Sequence, residues 1–201
     1  MVLYICIIVF ASVLLVVINA LFGLFALNLN LLTISLWTVL GVVLSIALDG
    51  VAALLVRAVS SKINIDSKFF AERKGERKFY MDLNIKKWKD SIPEMGKVLK
   101  FFDKTTVPKE VDGNYFKKFI LETCLAEVMH VISILLAPLL IIILPIRFAL
   151  RISLPIVLVN IFLNILPVMV QRYNRPKLRI AYSRQLKKEE SNKDNIIGEI
   201  K

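Results

Sequence analysis

The hydrophobic pattern divides the chain into two long apolar blocks, each followed by a charged segment. Residues 3–56 form the first block, and the polar sequence Asn-Leu-Asn at 28–30 interrupts it. The runs on either side, 3–27 and 31–56, each exceed the roughly 20 apolar residues that a bilayer-spanning helix needs. This pattern predicts a hairpin of two transmembrane helices.

The second apolar block, residues 119–170, predicts another helical hairpin. Its first helix is expected to begin near Phe119 and to leave the membrane at Pro145, and Pro138 and Pro145 are each expected to kink or end it, because proline removes a helical hydrogen bond. After a short connection, the second helix is expected to cover residues 153–170. The sequence therefore predicts an all-α integral membrane protein with about four transmembrane helices.

Composition supports the same class of protein. Of the 201 residues, 57% are hydrophobic and the mean hydropathy is +0.67, values that a soluble domain of this length does not reach. Four regions are predicted: a transmembrane hairpin at 1–57, a cytoplasmic interfacial segment at 58–118, a second transmembrane hairpin at 119–178 and a cytoplasmic tail at 179–201.

The distribution of charge predicts the orientation in the membrane. Of 27 basic residues, all but Arg147 and Arg151 lie in residues 57–118 or 172–201. Because short loops rich in Lys and Arg stay cytoplasmic, both termini and the middle segment are expected on the cytoplasmic side of the cell membrane. The net charge of +11 is then explained by this retention and by attraction to anionic lipids, so no nucleic-acid partner is predicted.

The middle segment interleaves lysines with large apolar residues, as in the sequence KFYMDLNIKKWKD. This pattern is typical of chain that lies in the headgroup layer, with rings at the acyl boundary and ammonium groups on phosphates. Residues 90–104 predict a short amphipathic helix, with Pro93 in its first turn and Asp90 or Ser91 as its cap.

Ionisable residues inside a membrane helix are costly and are functional candidates for that reason. Glu122, Glu127 and His130 lie near the start of the third predicted helix, and His130 is the only histidine in the chain. Glu127 and His130 are one helical turn apart, close enough to share a face.

This spacing is compatible with three kinds of site. A carboxylate one turn from a histidine can fix the imidazole tautomer and leave the other nitrogen to act as a general base. Glu-x-x-His is also half of the motif that binds two metals in helical bundles, but no second histidine can complete it here, so no metal site is predicted. The third alternative is a buried polar pair that specifies helix packing.

The second and fourth predicted helices carry further polar residues. Asp49 lies about 12 Å from Arg57 along its helix, and it is a candidate substrate-binding residue. It could contact His130, or equally pair with a hydroxyl of the third helix or with water. Asn160 and Asn164 favour hydrogen bonding between helices. No nucleophile elbow, P-loop or dinucleotide motif is present, so no cofactor is predicted, and direct attack by a substrate hydroxyl fits an enzyme of this sequence better than a covalent intermediate.

Three stretches, IKKWKDSIPEMG, LETCLAEVMHVISIL and VQRYNRPKL, resemble the glycosyl-4,4'-diaponeurosporenoate acyltransferases of staphyloxanthin-type carotenoid biosynthesis. With the intervening chain they cover about residues 78–178. The resemblance implies an O-acyltransferase that moves a fatty acyl group onto a glucose hydroxyl of a membrane-embedded glycosyl carotenoid. Cys124, Leu125 and Val131 depart from the family pattern, so the expected acceptor is broadened to a lipid or glycolipid hydroxyl.

The resemblance also implies which residues carry the reaction. The catalytic set consists of Glu122, Glu127 and His130, and acyl-CoA, acyl carrier protein or a phospholipid is the expected donor. The substrate-binding set consists of Trp88, Lys89, Gln171, Arg172, Tyr173, Asn174 and Arg175.

The hypothesis for the mechanism assigns a role to each group. His130, oriented by Glu127, deprotonates the acceptor hydroxyl, and Arg172 and Arg175 hold donor phosphates or stabilise the oxyanion. Pro176 is expected to turn the chain after the last transmembrane helix. The competing function is a non-enzymatic membrane protein that uses its buried polar residues for helix packing, assembly or proton movement.

Overall fold

The computed structural model describes residues 2–26, 30–92 and 111–199, and all regular secondary structure in these ranges is helical. This confirms the all-α class. The described ranges contain four long helices, α1 (Val2–Ala26), α2 (Leu31–Ala58), α5 (Gly113–Leu136) and α7 (Leu154–Glu199). The short α-helices in the same ranges are α3 (Glu76–Asp82), α4 (Ile85–Trp88) and α6 (Leu139–Ile143).

Three segments of the described chain are long and apolar enough to cross a membrane: Leu31–Ala58, Gly113–Ile143 and Arg151–Asn195. Large side chains on these helices stand exposed, such as Leu54 at 72% and Ile142 at 79%, as expected of surfaces that face lipid. Within α1, the described residues give the apolar helix Val9–Leu21, which is shorter than these three segments. The structure thus supports a membrane protein, and the predicted count of about four spans stays a prediction.

The last helix corrects the sequence prediction most strongly. Hydropathy predicts its end near residue 170, but α7 is 46 residues long and ends at Glu199. At 1.5 Å per residue this helix is about 69 Å long, more than twice the hydrocarbon thickness of a bilayer. Pro176 lies inside it, so the predicted turn at that residue is wrong. The tail is rich in Lys, Arg, Gln and Glu, which favour helix without being apolar.

The chain forms two compact units, of which the first comprises Met1–Ser60 and Val128–Val168. Helix α2 begins at the N-cap Asn30, whose side chain accepts a hydrogen bond from the Thr33 backbone at 2.8 Å. Gly41 allows close packing, since a Cβ there would lie 2.6 Å from Ile156 Cδ1. One buried hydrophobic cluster of this unit contains Leu15, Ala137, Leu140, Phe148, Ile152, Ile156 and Val157.

The second unit comprises Ser61–Glu127 and Met169–Lys201. Its interfacial segment folds onto α7, with Tyr80 and Ile85 buried against Val170. The N-terminus of α5 is tied to the same helix, because the Gly113 backbone donates to Glu189 Oε1 at 2.8 Å. Placement of the segment in the headgroup layer stays a prediction.

The predicted amphipathic helix at 90–104 lies mostly outside the described residues. Its proposed capping residues, Asp90 and Ser91, belong to a 3₁₀ turn, Lys89–Ser91.

Candidate functional site

A chain of hydrogen bonds connects His130 to Asp49 in the first unit. His130 Nδ1 lies 2.7 Å from Asn164 Oδ1, and Asn164 Nδ2 donates to the Asn160 side-chain oxygen at 3.2 Å. Asn160 Nδ2 in turn donates to Asp49 Oδ2 and to Ser45 Oγ, both at 2.9 Å. The possible contact between Asp49 and His130 is thus made through two asparagines.

Burial makes these contacts energetically important. Asn160, Asn164 and Ser45 are buried, whereas His130 and Asp49 are half-buried. Leaving a buried polar group without its hydrogen-bond partner costs about 1–3 kcal/mol of stability, so each of these hydrogen bonds contributes to the stability of the unit. The helices α2, α5 and α7 each contribute residues, and the predicted role of the asparagines in hydrogen bonding between helices agrees with these contacts.

Glu127 forms the centre of a second cluster, within the second unit. Its Oε1 lies 2.7 Å from Arg172 Nη1, and its Oε2 lies 2.6 Å from Arg175 Nη2. Arg175 is only 1% exposed and also donates to the Thr123 side chain at 3.1 Å and to the Thr123 backbone carbonyl at 3.0 Å. The Phe70 ring covers the same guanidinium, with its centroid 5.1 Å from Cζ.

Arg172 is shared between Glu127 and a second carboxylate, Glu76 of α3. Its Nε and Nη2 donate to the two oxygens of Glu76, and its Nη1 and Nη2 reach the backbone carbonyls of Phe69 at 3.2 Å and Ala71 at 3.1 Å. Two guanidinium groups are therefore balanced by two carboxylates.

Glu76 is held in its ionised form by these donors. Partial burial opposes ionisation, but hydrogen bonds from Arg172, the Arg73 backbone and Tyr80 outweigh it and lower the pKa of Glu76 from 4.5 to about 2. The Tyr80 hydroxyl donates to Glu76 Oε1 at 2.7 Å, and burial together with that carboxylate raises the pKa of Tyr80.

A cavity of about 360 Å³ lies beside this cluster in the second unit. Arg179 borders it and pairs at 2.9 Å with Asp66, whose side chain is 73% exposed. The lining residues include the three arginines of one face of α7, Arg172, Arg175 and Arg179, together with Glu72, Glu76 and Phe70.

The remaining residues that the sequence assigned to the site differ in their contacts and burial. Tyr173 stacks edge-on against Tyr80, with ring centroids 6.4 Å apart, and lies in the same apolar cluster as Trp88. The Trp88 indole donates to the Leu83 carbonyl at 3.1 Å, and Lys89 pairs with Asp90. Glu122 and Gln171 are buried, and Asn174 is half-buried.

The structure brings Glu127, which the sequence hypothesis assigns to orienting His130, together with Arg172 and Arg175, which it assigns to the donor phosphates or the oxyanion. At His130 Nδ1, the observed partner is Asn164. Sequence reasoning missed Glu76, Tyr80, Thr123 and the pair of Arg179 with Asp66. One signal was available, because arginines at positions 172, 175 and 179 share a helix face once α7 is continued past residue 170.

Within the described part of the chain, no three His, Cys, Asp or Glu side chains lie close enough together to hold a metal ion.

Comparison with known proteins identifies a family over much of the chain. A family model described as glycosyl-4,4'-diaponeurosporenoate acyltransferase matches residues 66–184, more than half of the sequence. The matched range contains His130 and the four arginine-carboxylate pairs described above, but not Asp49. No curated protein and no solved structure matches the chain.

Proposed function

The chain belongs to the glycosyl-4,4'-diaponeurosporenoate acyltransferase family, and from this premise we propose that it is a membrane-embedded O-acyltransferase. It moves a fatty acyl group onto a hydroxyl of a lipid or glycolipid, and the family description favours a glycosyl carotenoid as acceptor. The observation that carries the proposal is the contact of His130, the only histidine, with the buried Asn164 inside an apolar helix pair.

His130 is assigned as the general base. The ring nitrogen remote from Asn164 takes the proton of the acceptor hydroxyl while that oxygen attacks the acyl carbonyl carbon. The tetrahedral intermediate then expels the thiol or alcohol of the donor, which receives the proton back from the imidazolium. No cofactor is consumed, and general base catalysis of this kind contributes about 10²–10⁴ in rate.

The cavity of the second unit is assigned to the polar part of the acyl donor. Acyl-CoA, acyl carrier protein and phospholipids all present a phosphate on the molecule that carries the acyl group. Arg172 and Arg175 are already neutralised by carboxylates, so Arg179, with its exposed partner Asp66, is the guanidinium we assign to that phosphate. Arg172 and Arg175 then shape the cavity wall.

The proposed location is the cell membrane, with several spans and both termini in the cytoplasm. The basic residues of the middle segment and of the tail support this orientation. The membrane lipids themselves are the expected surroundings and the source of the acceptor.

The decisive experiment measures acylated lipid by mass spectrometry in membranes that contain the wild-type chain or His130→Ala. We expect the activity per folded protein to fall at least ~100-fold. Asn19→Leu serves as the matched control, because Asn19 is another buried polar residue of the first unit, bonded to Thr38 instead of His130.

A role in packing alone predicts a different outcome. Both variants would then lower the amount of folded protein. The acyl product would either be absent from all membranes, including those with the wild-type chain, or be formed in unchanged amount per folded molecule. Either of those results would overturn the assignment of His130 as a base.

A further inference from the structure

The amide of Asn164 has a fixed orientation. Its Nδ2 lies 3.0 Å from the backbone carbonyl oxygen of Asn160 and 3.2 Å from the Asn160 side-chain oxygen. A carbonyl oxygen only accepts hydrogen bonds, so the NH₂ group of Asn164 must face these two atoms. The amide oxygen Oδ1 is consequently the atom that faces His130, at 2.7 Å from Nδ1.

We infer that Asn164 is a positioning residue that fixes His130 as the tautomer with hydrogen on Nδ1. Because Oδ1 of Asn164 only accepts, the hydrogen between the two atoms must belong to the imidazole. A neutral imidazole carries one N–H, so the basic lone pair is on Nε2. This consequence for catalysis rests on the proposed function, but the tautomer itself does not.

Asn160 and Asp49 support the same arrangement from behind. The Asp49 carboxylate accepts from Asn160 Nδ2, which directs the Asn160 side-chain oxygen toward Asn164. The backbone carbonyl of Asn160, however, orients the Asn164 amide even without that side chain. The determinant of the tautomer is therefore Asn164, and the Asn160 side chain reinforces it.

The single histidine makes the inference directly measurable. Nitrogen NMR of the full chain in lipid nanodiscs, labelled only at histidine, gives one pair of ring signals. At a pH where the ring is neutral, we expect a protonated Nδ1 and an unprotonated Nε2. Asn164→Leu should move the population toward the Nε2–H form that free histidine prefers, whereas Asn160→Leu should leave the Nδ1–H form dominant.

Two further variants keep the test falsifiable. Asn164→Asp retains an acceptor and should preserve the Nδ1–H form if Asn164→Leu fails to fold, and Asn19→Leu should leave both signals unchanged. A wild-type Nε2–H tautomer, or an unchanged tautomer in Asn164→Leu, would overturn the inference. If Asn164→Leu lost the Nδ1–H tautomer but transferred acyl groups normally, the tautomer would have no catalytic importance. If the wild-type chain had the expected tautomer but transferred no acyl group, only the proposed function would be refuted.

Discussion

At Glu127, one carboxylate in an apolar helix is bound by two guanidinium groups, and the three residues come from positions that the sequence separates by 45 and 48 residues. Buried charges of this kind are stable only when an opposite charge compensates them, because each carries a desolvation penalty of several kcal/mol. The primary role of the arginines in the QRYNRP sequence is therefore structural, because they compensate the charges of Glu127 and Glu76.

Removal of Arg175 should leave part of the Glu127 charge without compensation. We expect Arg175→Met to lower the free energy of unfolding by about 3 kcal/mol, and the double variant Glu127→Gln/Arg175→Met to lose clearly less. Thermal unfolding in detergent measures both, with Lys188→Met, an exposed charge of the same helix, as the control. Equal losses in the single and the double variant would show that the charges are not coupled.

The depressed pKa of Glu76 predicts a dependence of stability on acid. The pKa of this carboxylate is about 2 in the folded protein and ordinarily 4.5, so its ionised form stabilises the fold, and this stabilisation has its full value above pH 4.5. That contribution is lost as the pH falls from 4.5 to 2. Glu76→Gln should therefore be less stable than wild type at pH 7 and approach it near pH 2. A stability difference that stays constant over this range would contradict the assignment.

At the scale of helices, hydropathy predicted where apolar helices lie but not where α7 ends. Hydrophobicity decreases where the chain leaves lipid, whereas a helix ends only where its backbone hydrogen bonds end, and the two points differ by 29 residues here. The sequence also gave no sign of Glu76, because α3 meets α7 through tertiary packing of residues 96 positions apart. His130, Glu127 and the arginines could be predicted because ionisable groups are conspicuous near an apolar helix.

Pro176 tests the continuity of α7. In a continuous helix it removes the hydrogen bond to the carbonyl of Arg172, four residues earlier, and costs up to about 3 kcal/mol relative to alanine. Pro176→Ala is therefore expected to raise the unfolding temperature. If Pro176 instead formed a turn that the fold requires, the same substitution would lower it. The measurement is a thermal unfolding curve, with helix content followed by circular dichroism.

At the scale of the whole molecule, the number of spans decides on which side the N-terminus lies. Helix α1 has 25 residues and is about 37 Å long, enough to cross a hydrocarbon core of about 30 Å. With α1, α2, α5 and α7 all spanning and the basic segments in the cytoplasm, both termini would be cytoplasmic. With only the last three spanning, the N-terminus lies on the opposite side from the tail.

Thiol labelling distinguishes the two topologies. In a chain with Cys6 and Cys124 replaced by alanine, a cysteine in an N-terminal tag should resist a membrane-impermeant maleimide in intact cells and react after the cells are opened. Asn30→Cys should react in intact cells in either topology, and Ser183→Cys in neither, so these two variants calibrate the assay. A tag that reacts in intact cells would limit the protein to three spans and place α1 on the outer face.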